Sequence, residues 1–241
     1  ALRAPPRSRC DPQSAQGQAV LPGHYMEGAE LFDNRLFSMS AAEVRVTDPN
    51  QRVLLEVALG GLVGAKHPPG MLLGAGIGVL IGFGQTGWMA VQQELPASVF
   101  SGHGMVASAA AGRISYTLGL QGPCMAVDTA CSSSLVALHT GYHCLQLGSC
   151  QRALAAGVNL HPHSSSWLGT PGLPLSLDGR SKTFDSSANG YGRGEGCFAV
   201  VLQTAASTES DAICLSAAAV NQDGRSASFS APNGLAQQQV V

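Results

Sequence analysis

The 241-residue chain is 45% hydrophobic and only 12% charged, enough apolar side chain to bury a sizeable core, which excludes a disordered segment. Its 13 basic and 15 acidic residues leave a formal charge of −2, so there is no basic field to hold a phosphate backbone and nucleic acid is not an expected partner. Thirty glycines beside a 5% aromatic share point to tight turns and close backbone approach, which suits α/β packing.

Residues 1 to about 28 are rich in Pro, Arg and Gln without periodicity and read as an irregular leader. "ALRAPPRSR" has no apolar run behind its arginines, so a signal peptide is not expected. Ser40 followed three residues later by Glu43 predicts a capped short helix. Asp48-Pro49 opens a second helix with Pro at its first position, Val53, Leu54, Val57 and Ala58 on one face, and Gly60-Gly61 as its expected end. No charged residue occurs from His67 to Gln93, yet the apolar run "MLLGAGIGVLIGFG" is about 14 residues, below the ~18 that a membrane span requires. "GIGVLIG" instead predicts a strand buried on both faces. A helix over "MVASAAAGRISYTL" and a short buried strand over "CMAVD" follow. From Cys131 onward, Leu135, Leu138, Tyr142 and Leu145 recur at three- and four-residue steps and predict a helix that Gly148 stops. "RALAAGVNL", "CFAVVLQ" and "AICLSAAAV" read as strands. Strands alternating with helices predict an α/β fold with a mixed or largely parallel sheet.

Three motifs invite a ligand and lack part of what the ligand needs. Gly82, Gly84 and Gly87 fit the dinucleotide spacing G-x-G-x-x-G, but no acid lies between Glu94 and Asp128, where a ribose partner belongs. Asp185, Ser187 and Asn189 alternate ahead of Gly190 as in a calcium loop, but Glu195 falls at the eleventh position and Gly196 at the twelfth, so a folded turn network is expected there. His139 and His143 stand four apart on the predicted helix without an apparent third ligand, which suits structural histidines.

The seven cysteines match neither a zinc spacing nor a secreted disulfide framework, since Cys124, Cys131, Cys144 and Cys150 are separated by six, twelve and five residues. Reduced thiols in a cytosol-like compartment are expected, most of them buried as small hydrophobes. Cys131 differs from the rest. A strand ending at Asp128 and a helix beginning near Cys131 predict a sharp strand-to-helix turn, which would hold a nucleophile clear of the sheet. Unpaired N–H groups at the helix start would favour a thiolate and could stabilise the oxyanion formed when its sulfur attacks an acyl carbonyl. Ser132, Ser133 and Ser134 keep the first turn small and polar.

"GPCMAVDTACSSSLVALH" resembles the active-cysteine segment of the β-ketoacyl synthase domains of modular polyketide synthases. The likeness continues in family order through "FDNRLFSMSAAEVRVTDPNQRVLLEV", "AAGRISYTLGLQGP", "DGRSKTFDSSANGYGRGEG" and "NQDGRSASFSAPNG". It implies a thiolase-like layered α-β-α-β-α fold, of which residues 29–241 would be the N-terminal half, with a mixed sheet and a buried nucleophile helix. Departures from the family pattern include the absence of its opening glycine-containing strand ahead of residue 1, Cys10-Asp11 in place of a Trp-Asp pair, Gly60-Gly61 in place of helix formers, and Asn189 in place of an acid.

The resemblance also implies a reaction. Cys131 would take an acyl chain from an acyl carrier protein as a thioester, and a malonyl-type extender on a carrier protein would lose carbon dioxide and attack it. The family's two catalytic histidines and its lysine belong to a C-terminal half expected after Val241, and none of the seven histidines here matches them. No metal or dissociable cofactor is implied, because the substrates ride on the phosphopantetheine of the carrier. A homodimer formed through the "GPCMAVD" strand is implied, and no membrane. Two other readings stand beside this one: a fatty-acid-type condensing enzyme or thiolase, and a non-catalytic fragment that keeps the family's dimer surface.

Overall fold

The computed structural model describes residues 22–84, 86–162, 173–204 and 213–241. Ser40 accepts a hydrogen bond from the Glu43 N–H and starts helix α1 (Ala41–Val46), as its capping pattern predicts. Asp48 caps α2 (Pro49–Gly64) through the Asn50 N–H. This helix does not end at Gly60-Gly61. A Cβ on Gly61 would lie 3.5 Å from that of Ala199, so the absent side chain lets α2 sit close on the sheet. That packing outweighs the ~1 kcal/mol helix penalty of a glycine.

Four strands form the main sheet: β2 (Ile77–Gly82), β3 (Cys124–Val127), β4 (Arg152–Asn159) and β6 (Gly196–Gln203), in the order β3-β2-β4-β6. β2 runs parallel to both β3 and β4, and β6 pairs antiparallel with β4. The sheet is therefore mixed, as expected. Every residue of β2 is buried. β3, expected to be buried, is an outer strand with Cys124 and Met125 exposed, because among the described residues β2 is its only partner in the sheet. A two-residue strand, β1 (Gly23–His24), pairs parallel with β5 (Arg193–Gly194). The earlier part of the expected leader, through residue 21, lies outside the described residues.

Residues of β2 alternate between two apolar layers, as the pleat requires. Val79 and Ile81 join Leu54, Leu62 and Ile114 beneath α2 and α4 (Ala107–Leu118), whereas Leu80 joins Ala137, Cys150 and Ala153 beneath α5 (Ser133–Gln146). Helices thus cover both faces of the sheet. α3 (Trp88–Glu94), which no sequence signal announces, is tied down by Trp88 Nε1 and Gln92 Nε2, both donating to the Val46 carbonyl. α6 (Gly234–Val240) closes the described chain.

Two expectations fail for reasons of packing. The buried face of α5 is Ser133, Ala137 and Gly141, while Leu135 of the predicted apolar face is 67% exposed. A Cβ on Gly141 would meet that of Ala153 at 3.2 Å, so the middle of the helix rides too close to the sheet for leucine; of the predicted face, Leu145 near its end packs partly against the Leu80, Cys150 and Ala153 cluster. Residues 213–220, the described part of "AICLSAAAV", form no strand and are mostly exposed. An apolar run becomes a strand only where a neighbouring strand takes up its N–H and C=O groups. Among the described residues no helix is long and apolar enough to cross a membrane.

Candidate active site

Strands β2, β3 and β4 all run the same way, and their C-terminal ends open onto one cleft of about 980 Å³ lined by Gly82, Asp128, Cys131, Asn159, Arg193 and Glu195, among others. Open α/β sheets offer ligands this end, because the chain reverses there and leaves backbone groups facing a crevice.

Cys131 is presented on a single 3₁₀ turn, Ala130–Ser132, between the end of β3 at Val127 and the start of α5 at Ser133. Its side chain is exposed. Ala130, immediately before it, has φ of 56°, a left-handed conformation that costs a residue with a Cβ of order 1 kcal/mol or more. Side chains on either side hold it there. Asp128 Oδ1 accepts from the Ala130 N–H at 3.0 Å, and Ser133 Oγ accepts from the Thr129 N–H at 2.8 Å while donating to the Ala130 carbonyl at 2.7 Å. Ser132 Oγ donates to the Thr129 carbonyl at 3.0 Å. The serines thus do more than keep the turn small: two of them lock its conformation.

Ser134 has the third role, which is to be small. A Cβ on Gly82 would lie 2.5 Å from the Ser134 nitrogen, and one on Gly157 would lie 2.7 Å from the Ser134 Cβ. Two neighbouring strands therefore give up their side chains where the first turn of α5 crosses them. A Cβ on Gly84 would make ordinary contact with the Asp128 carboxylate at 3.5 Å, so of the dinucleotide-like glycines it is Gly82 whose missing side chain the cysteine helix requires.

Several residues of the site carry no sequence signal that marks them as part of it. Asp48 reads from sequence only as a helix cap, yet its carboxylate is wholly buried and accepts from Asn50 N and Nδ2 at 2.8 Å and from Thr86 Oγ1 at 2.5 Å. Burial pushes its pKa above the ordinary carboxylate value, opposed by these donors. Asn50 in turn accepts from the Leu160 N–H at 2.8 Å, which joins α2 to the end of β4, and both Asn50 and Thr86 line the cleft. Glu195, one position short of a calcium-loop ligand, accepts instead from the His161 and Met26 N–H groups at 2.8 Å each.

Asp185, Ser187 and Asn189 form a turn network. Asp185 Oδ1 accepts from both the N–H and hydroxyl of Ser187, and Asn189 Oδ1 accepts from Ser176 Oγ and Lys182 Nζ. His139 and His143 touch edge to face at 4.4 Å between ring centroids, and no cluster of three or more His, Cys, Asp or Glu suited to a metal occurs among the described residues. Of the other thiols, burial pushes Cys150 up and Cys197, which also borders the cleft, up to about 12.

Residues 3–208 match the family described as "Beta-ketoacyl synthase, N-terminal domain", and the chain belongs to that family. It is 39% identical over 239 residues to a phenolphthiocerol/phthiocerol polyketide synthase protein of Mycobacterium bovis, a match that covers 96% of this chain. It is 40% identical over 227 residues, 91% of its length, to the erythronolide synthase EryA3 of Saccharopolyspora erythraea. Its fold matches the ketosynthase from module 6 of the bacillaene synthase of Bacillus subtilis 168 with a TM-score of 0.84 and 30% identity over the whole chain. The architecture is therefore that of the thiolase-like ketosynthases. The chain spans 13% and 7% of those two curated relatives and 41% of the ketosynthase chain.

Proposed function

We propose that this chain is the N-terminal part of a β-ketoacyl synthase of polyketide biosynthesis, and that Cys131 is its acyl-accepting nucleophile. The observation that carries the reading is the placement of Cys131: exposed, on a turn locked around a left-handed Ala130, at the mouth of the cleft where three parallel strands end. In the first half-reaction the Cys131 thiolate attacks the carbonyl of an acyl thioester borne by an acyl carrier protein. The new carbon–sulfur bond forms as the donor's breaks, and the carrier's phosphopantetheine thiolate departs and is protonated. The Ser133 N–H at the start of α5 already donates to the Ala130 carbonyl, so the donor we assign to the tetrahedral oxyanion is the backbone N–H of Cys131 on the turn that leads into the helix.

In the second half-reaction a malonyl-type extender on a carrier protein loses carbon dioxide, and the resulting carbanion attacks the Cys131 thioester. Stabilising that enolate takes donors aimed at the other substrate. The family resemblance gives this work to histidines that none of the seven here matches. No metal or dissociable cofactor enters the reading.

Intact-mass spectrometry of the 241-residue chain with an acyl thioester tests it. One acyl adduct is expected on the wild type and none on Cys131→Ala, with no decarboxylation of a malonyl carrier protein by this chain. Equal acylation of the Ala variant would remove Cys131 from its role.

The same reading makes the complete domain a homodimer through the outer edge of β3, whose N–H and C=O groups have, among the described residues, a strand partner on one side only. Light scattering of the complete domain is expected to give a dimer at micromolar concentration, and a monomer would refute this.

A further inference from the structure

Arg193 stands out among the charged groups of the cleft. It lies on the cleft wall, its Nε is buried, and no hydrogen bond or ion pair engages its guanidinium among the described residues. Its backbone, by contrast, is held on every side. Arg193 and Gly194 pair with Gly23 and His24, the Gly194 carbonyl accepts from Asn159 Nδ2 at 2.8 Å, the Gly192 N–H donates to Ser181 Oγ at 3.0 Å, and the Glu195 N–H donates to the His24 carbonyl at 2.7 Å. The two carboxylates on the same cleft already have donors: Asp128 takes the Ala130 N–H, and Glu195 takes those of His161 and Met26.

A guanidinium carries five N–H donors in a planar fork that matches the oxygens of a carboxylate or phosphate. Taking it partly out of water without an anion is unfavourable, and a fixed main chain leaves it little freedom to seek one elsewhere. We infer that Arg193 is the anion-recognition residue of the Cys131 cleft, binding an oxyanion of the acyl donor, either the phosphate of its phosphopantetheine or a free carboxylate of its acyl group. The inference rests on the reading of the cleft as an acyl-donor site, and it adds a charge preference that the nucleophile alone does not confer.

Protection of Cys131 from iodoacetamide tests it in the 241-residue chain, with pantetheine 4′-phosphate against pantetheine for the phosphate source and malonate against malonamide for the carboxylate source. At least one anionic ligand is expected to protect at about tenfold lower concentration than its neutral partner, as loss of one charge-assisted contact predicts. The pair showing the difference identifies the source. Arg193→Gln should reduce the difference below about twofold, and Arg193→Lys should keep part of it. Should either variant fail to fold by circular dichroism, phenylglyoxal labelling of the folded wild type replaces it, and the protecting anion should shield Arg193. Equal protection by charged and neutral ligands in both pairs, a difference that survives in Arg193→Gln, or an Arg193 left unshielded overturns the inference. Alkylation needs no acyl transfer, so failure of the acyl-acceptor reading would show separately as a missing thioester in the intact-mass experiment.

Discussion

Gly82→Ala places one methyl group where β2 meets the first turn of α5. The added Cβ would stand 2.5 Å from the Ser134 nitrogen and 2.7 Å from the Ser133 carbonyl carbon and the Ser134 Cα. All three are backbone atoms, so no side-chain rotation relieves the contact. Ordinary contact begins near 3.4 Å, so the helix start must move away by about 0.9 Å. Overpacking of this kind costs about 1–3 kcal/mol of stability. The larger consequence is for chemistry: Cys131 sits two residues before Ser133, and displacing a reacting group by about 1 Å can cost about a hundredfold in rate. Gly60→Ala is the matched control, since a Cβ there has nothing within 4 Å and should raise stability by up to about 1 kcal/mol through helix propensity. Urea unfolding and the rate of Cys131 acylation from an acyl thioester read the two effects. Wild-type stability and acylation in Gly82→Ala would refute the argument that this glycine sets the position of the nucleophile.

Brief iodoacetamide treatment near neutral pH, with peptide mass mapping, should modify Cys131 ahead of the other thiols. Cys150 and Cys197 should react slowest, because burial pushes both up, Cys197 to about 12; earlier modification of Cys124 or Cys144 would contradict the assignment. Thr86→Val removes a donor from the buried Asp48 carboxylate and should cost about 1–3 kcal/mol at pH 7. Because the folded pKa of Asp48 is raised above the ordinary value of 3.8, its carboxylate disfavours folding increasingly as pH rises through the folded pKa. Loss of Thr86 raises that pKa further, so the deficit against wild type should shrink toward pH 4. A deficit in thermal melts that is constant across this range would show that Thr86 acts by packing alone.

The elements legible in the sequence are those whose cause is local. Ser40 and Asp48-Pro49 cap helices through N–H groups two or three residues away, and "IGVLIG" is apolar on both faces wherever it is placed. The strand-to-helix turn at Cys131 is legible for the same reason, since a short apolar strand, a run of small polar residues and a helical repeat follow one another without interruption. Tertiary structure decided the rest. Gly60 and Gly61 look like a stop signal, but the closeness of β6 makes Gly61 a packing residue inside α2. The leucines of α5 look like its core face, but Gly82, Gly157 and Gly141 bring the helix so near the sheet that its fully buried positions are Ser133, Ala137 and Gly141, with Leu145 packing in only partly at the far end. Asn50, Thr86, Arg193 and Glu195 share the cleft with Cys131 because three strands end together there. No local pattern announces such a site, since its members are joined by strand register and by contacts such as Asn50 to Leu160, 110 residues apart. Sequence periodicity reports which side of an element is apolar, whereas the distance between packed elements determines which residues can occupy that side.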